Sequence, residues 1–217
     1  MTIATTTREK EREKRRFNRL INIISSKYKN ELFTSIRKAM FKAAMSYQKL
    51  GYLPSQQMDQ HEKELRSISF KMYSNSIDLA SDRQFQSIKH AFNLDIEKKD
   101  AVTDFHTLSI NFITNNGMKL AKQVSETTEK NVLGAILRSQ QEGLGVDETV
   151  SVIRDRGSVI SRSRATTIAV TETHNALSWA KHESTKAISE ELNLGLKKEW
   201  ATVEDDRTRP THVNADG

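Results

Sequence analysis

A chain of 217 residues with a net charge of +6, no cysteine, two prolines and eight glycines excludes disulfide scaffolds and thiolate metal centres, and is long enough to bury a core in one large domain or two small ones. Aromatic residues at 6% and charged residues at 29% predict long helices with a large surface and an elongated shape. The opening MTIATTTREKEREKRR lacks the apolar core of a secretory signal, and no run of about 18 uncharged apolar residues follows, so the expectation is a soluble protein of the cytoplasm or of a particle assembled there.

The positive charge is concentrated at the start. Residues 1–50 hold 13 Lys and Arg against 4 Glu, whereas the remainder holds 21 against 24. Arg8, Arg12, Arg15, Arg16 and Arg19 head this arm, which suits a polyanion or an acidic protein surface. Alternating Glu and Arg also allow a solvated helix face of internal ion pairs. Phe17 is the one aromatic nearby, so contact with DNA is expected at the double-stranded backbone, sensitive to salt and blind to sequence.

From Phe17, the apolar positions Leu20, Ile21, Ile24, Tyr28, Leu32, Ile36, Met40, Ala43, Tyr47 and Leu50 recur at three and four, predicting one helix from about Thr7 to Leu50. Gly51 and Pro54 end it, and Ser55 is a candidate cap for the next. A second helical stretch over about 55–96 carries Leu65, Ile68, Met72, Leu79, Phe85, Ile88 and Phe92, with an interruption expected where Ser and Asn crowd between Asn75 and Asp82. These elements make up a basic N-terminal helical region, 1–99.

The region 100–217 begins with a third helix from about Asp100, bearing Phe105, Leu108, Phe112, Ile113, Leu120, Val124, Val132, Ile136 and Leu137. Asn115-Asn116-Gly117 reads as a break within it. Gly143 and Gly145 close that helix, Asp147 is read as the cap of a short one, and Gly157 as its end. A last helix is expected over about Ser161–Leu192. Beyond Gly195 the alternation Leu196, Trp200 and Val203 suggests a strand. The fold class is therefore mainly α, long antiparallel helices followed by the start of a small, incomplete α+β domain.

The sequence stops on WATVEDDRTRPTHVNADG. Asp205, Asp206 and His212 are acceptable hard-cation ligands, and with Glu172 they make a metal-dependent nuclease or nucleotide-modifying site conceivable. The same residues also satisfy one another as a clasp: Glu172 on the helix pairing with Arg207 or Arg209, His212 bonding a carboxylate or the backbone, and Trp200 anchoring the packing. Ser178, His174 and Asp205 lack any strained nucleophile turn, so a hydrolase triad is rejected, and no phosphate-binding G-x-x-x-x-G-K-[ST] occurs. His61, His90, His106 and His182 read as surface or capping residues. The clasp is the preferred reading, with no catalytic residue, metal or cofactor assigned.

SRSRATTIAVTETHNALSWA at 161–180, followed by KKEWATVEDDRTRPTHVNADG, resembles the phage head morphogenesis family, the minor head proteins of the Mu F-like type. Arg164, Ala165, Ile168, Ala169, Thr171, Glu172, Thr173 and Ala176 carry the match on the helix. Lys198, Trp200, Asp205, Asp206, Arg207, Thr208, Arg209, His212 and Gly217 carry it on the tail. Members continue into further strands, so the resemblance implies a chain cut or left incomplete within its C-terminal domain, the alternative being a genuinely short family member. It also implies a minor capsid protein present in several copies inside the head of a tailed phage. Its expected partners are the portal or major capsid protein and DNA, with no membrane and no small-molecule substrate, and its expected role lies in procapsid assembly, packaging or ejection.

Overall fold

With few prolines and glycines, little interrupts a helix once an apolar stripe gives it a face to bury. The computed structural model describes residues 7–95 and 103–196, and in them four helices follow one another: α1 Thr7–Leu50, α2 Ser55–Ala91, α3 Thr103–Gln141 and α4 Val146–Glu191. At its standard rise the longest, α4 with 46 residues, extends about 69 Å.

Successive helices run antiparallel. At the end where α1 turns into α2, Gln57 donates to Ser46; farther along, the Tyr28 hydroxyl donates to the Lys71 carbonyl at 3.1 Å. Ser125 Oγ reaches the Met58 carbonyl at 3.0 Å and Phe112 meets Tyr73 edge-on, which sets α3 against α2. Arg164 and Trp179 of α4 meet Val124 and Phe105 of α3. Gln48 Nε2 donates to Asp147 Oδ1 at 2.7 Å and His174 meets Phe17, so α4 closes back on α1. The result is an up-down-up-down bundle whose main core draws on all four helices.

α2 and α4 run parallel to each other and touch across the centre. Their buried positions keep step 100 residues apart: His61, Leu65, Ser69, Tyr73, Ser76, Ile77, Ala80 and Ile88 on α2, and Ser161, Ala165, Ala169, Thr173, Ala176, Leu177, Ala180 and Ile188 on α4. Both helices end alike. Asn93 and Asn193 take φ of 50°, and the next residue's N–H returns to the carbonyl of Lys89 or Ser189, the left-handed helix end that asparagine tolerates better than most residues. Phe85, Ile88 and Ile188 form a satellite core there, covered by Phe92, Leu94, Leu192, Leu194 and Leu196.

α1 has the predicted bounds, but three expected breaks are absent. α2 runs unbroken through 75–82 because Ser76 and Ser81 bond back to the carbonyls of Met72 and Asp78, and Asn75 donates to the Tyr28 hydroxyl. Hydroxyls satisfied in this way are tolerated inside a helix. α2 stops at Ala91, short of 96, and its N-cap is Pro54, with Ser55 already helical. α3 passes through Asn115-Asn116-Gly117: the Phe70 ring occupies the space a side chain at 117 would need, and Asn116 bonds the Phe112 carbonyl at 2.9 Å.

Gly157 likewise ends nothing, so the expected short helix and last helix are one. A Cβ at 157 would lie 3.3 Å from Met40 Cβ and Sδ, and the glycine lets α4 approach α1. The N-cap of α4 is Gly145, whose N–H is bonded by the Glu148 carboxylate at 2.8 Å, while Asp147 serves Gln48 instead of capping. No strand occurs among the described residues. Leu196, the first residue of the expected strand, packs in the satellite core with its N–H on Ser189 Oγ at 3.0 Å; the rest of that stretch, with the expected α+β domain, lies outside the described residues. So does the predicted boundary between 99 and 100.

Candidate functional site

The helix motif of 164–176 is a packing device. Ala165, Ala169, Thr173 and Ala176 are wholly buried and recur at four, four and three, so they share one face of α4. Small side chains on that face let neighbouring backbones come close, and dense contact follows without large apolar groups. The two charged residues of the motif flank this stripe and reach opposite neighbours. Arg164 donates to the Val124 carbonyl at 3.3 Å and to Thr128 Oγ1 at 3.4 Å on α3, and burial lowers its pKa from the usual guanidinium value. Glu172 accepts the Tyr73 hydroxyl proton on α2 at 2.6 Å. Burial, and then the bond to Glu172, raises the Tyr73 pKa well above the phenolic range, so this hydroxyl remains a donor.

An aromatic ladder continues from that bond. Tyr73 meets Phe112 edge-on at 5.8 Å, and Phe112 and Phe105 both stack on Trp179, at 4.2 and 5.9 Å. One seam among α2, α3 and α4 thus holds the carboxylate, the phenol and three further rings. Sequence reading places Glu172 in the motif but misses Tyr73, which lies 99 residues away; the period of α2 could have marked Tyr73 as inward-facing, though not its partner.

Of the expected clasp, Glu172 alone lies among the described residues; Trp200, Asp205, Asp206, Arg207, Arg209 and His212 lie outside them. The alternative nuclease set loses sight of Asp205, Asp206 and His212 for the same reason. Among the described residues, no three carboxylates and imidazoles gather where they could hold a metal ion. Ser178 and His174 are exposed on α4.

Glu172→Ala is expected to lower stability by about 2 kcal/mol, the cost of leaving a buried hydroxyl without its charged acceptor. For a chain of this size that is a fall in Tm of about 4–8 °C. Tyr73→Phe should cost less, and the double variant less than the sum of the two. Denaturant unfolding of all three variants checks this, and strict additivity would show that the bond contributes nothing.

The predicted arm lies along α1. Arg12, Arg15, Arg16 and Arg19 are exposed and, at three- and four-residue spacing, line one stripe; Arg8 lies in the first turn of the helix. Arg15 pairs with Glu11 at 3.5 Å and Arg16 with Glu13 at 3.0 Å, so half of the stripe follows the ion-pair reading. Arg12 and Arg19 have no acidic partner among the described side chains. Among the described residues, no helix is long and apolar enough to cross a membrane.

His61 corrects the surface assignment given to it. It is 3% exposed, lies between α1 and α2 with Nδ1 3.3 Å from Ser35 Oγ, and its Nε2 has no hydrogen-bond partner. Burial, with a smaller contribution from the Arg164 charge and against that of Glu64, pushes its pKa down to about 4. The neutral imidazole is the form that fits.

No curated protein and no solved structure matches the chain. A family model does, and the residues it matches begin within α3 and take in the whole of α4, including the small-residue face, Arg164 and Glu172. Residues 130–217 match the model of the family described as Phage Mu protein F like protein, which supports the likeness to the phage head morphogenesis proteins.

Proposed function

We propose that the chain is a minor structural protein of a tailed phage head that acts by binding, its helical bundle seated on the portal or inner capsid and its α1 stripe facing the packaged DNA. The family match over 130–217 carries this reading. The geometry supports it in one respect: Arg164 and Glu172, the charged residues of the helix motif, are both used to hold α4 against its neighbours. A carboxylate engaged by a tyrosine hydroxyl serves a scaffold well and a metal-ion site poorly.

Phage assembled with and without the intact gene, followed by mass spectrometry of purified heads, tests the structural role; the protein is expected in mature particles at a few copies per portal. Its absence from heads that nevertheless package DNA would overturn the reading. For the DNA contact, replacing Arg12, Arg15, Arg16 and Arg19 together with Gln is expected to weaken retention of double-stranded DNA. It should also flatten the dependence of log K on log salt by about one unit for each phosphate that is no longer neutralised. Binding that is equal at every salt concentration leaves the arginines to an acidic protein partner.

A further inference from the structure

Among the clefts of the described residues, one gathers basic groups from three helices. It has a volume of about 680 Å³ and opens between the N-terminal part of α1 and the C-terminal part of α2, with α4 at one side. Phe17, Leu20 and Ala80 form an apolar floor, and Arg16, Arg83, His90 and Lys181 bring basic groups from three helices to the rim, facing Glu13 and Asp82. Glu13 is engaged by Arg16 at 3.0 Å. Arg83 and Lys181 have no carboxylate partner among the described side chains, and both are exposed at the rim.

The parallel helix α4 provides an internal comparison. Its buried positions keep step with α2 at 100 residues, yet the positions matching Arg83 and His90 are Glu183 and Glu190. Glu183 is bonded by its neighbour His182 at 3.0 Å. At these two positions the helices therefore differ in charge, basic on α2 and acidic on α4, although their buried positions correspond. Arg16 also belongs to the outer stripe of α1, one turn from both Arg12 and Arg19, so the cleft and the stripe form one continuous basic track.

We infer that this cleft is a phosphate-binding site for double-stranded DNA, in which Arg83 and Lys181 take backbone phosphates as the duplex leaves the Arg12–Arg19 stripe. The inference rests on the DNA contact proposed above and adds two residues from outside the basic arm. Guanidinium and ammonium groups contact phosphate without reading bases, and the exposed rim lets a rigid duplex approach. Asp82 and Glu13 line the same cleft and repel a phosphate placed against them, which leaves Arg83 and Lys181 as its contacts.

The full chain is titrated with a fluorescent duplex of random sequence at several salt concentrations, in three forms: wild type, Arg83→Gln/Lys181→Gln, and Arg12→Gln/Arg19→Gln. Each double variant is expected to reduce the salt slope by about 2, so that the fall in affinity between about 50 and about 200 mM salt shrinks roughly tenfold. In parallel, Lys181 should be protected from amine acetylation by bound duplex, a readout independent of the variants. If the stripe variant weakens binding while the cleft variant matches wild type and Lys181 stays reactive, the cleft assignment fails and the DNA contact stands. If the wild-type chain retains no duplex at the lowest salt, both fail together.

Discussion

Trp179→Ala is expected to be among the most destabilising single substitutions in the bundle, at about 3 kcal/mol, with a fall in Tm of about 6–12 °C. Trp179 stacks with both Phe112 and Phe105, and two residues close to it on α4, Leu177 and Ala180, are wholly buried. Trp179 is half-buried, so removing the indole leaves two phenyl rings of α3 without their stacking partner and opened to water, and the helix cannot move in because Ala176 and Ala180 already hold α4 close. The loss adds the transfer free energy of the buried part of the indole to that of the ring stacking. Trp179→Phe keeps a ring in the stack and should recover more than half of the loss. Thermal unfolding followed at the near-ultraviolet aromatic signal checks both, and a Trp179→Ala chain that melts within about 2 °C of wild type would show the ladder to be incidental.

Acidification gives the second large effect. His61 in the unfolded chain takes a proton near its ordinary pKa of 6.5, whereas in the folded chain it does so only at about 4. Between those values the unfolded state binds more protons, so its contribution to stability is complete above about pH 6.5 and is lost as pH falls towards 4. The loss is about 2 kcal/mol by pH 5 and about 3 kcal/mol by pH 4. His61→Leu removes the titrating group and also the orphaned Nε2, so the variant's stability should be nearly level over this range while wild type declines. Parallel curves for the two proteins in urea at pH 7 and pH 5 would show that the imidazole is protonated in the fold after all.

Much of the bundle is legible from periodicity. The stripe from Phe17 to Leu50 predicts α1 at its observed bounds because a three-and-four spacing has no other way to bury one face. The missed features share one cause: local breaker signals are overruled by contacts distant in sequence. Gly117 and Gly157 resemble helix ends until Phe70 and Met40 are found pressing on them, and the stretch 74–81 resembles a loop until its serine hydroxyls are seen bonded within α2 and Asn75 bonded across to Tyr28. Apolar character also misleads in places. Leu108 and Leu137 are 45% and 58% exposed, while Ser109, Ser125, Thr128 and Ser139 are buried, because close helix approach selects small residues over large ones. His61 reads as a surface residue because a buried histidine has no sequence signature of its own.

The basic arm, its stripe on α1, the helical class and the motif of 164–176 with the family likeness it carries were all determined by the order of residues alone, since charge, period and motif are properties of adjacent positions. The use of that motif was decided only in three dimensions. Tyr73 meets Glu172 across 99 residues, Arg83 and Lys181 flank one cleft, and the four helices settle which of their small residues face inward. A side chain's partner depends on how helices pack, and packing is set by the summed interactions of all four, which no local stretch of sequence contains.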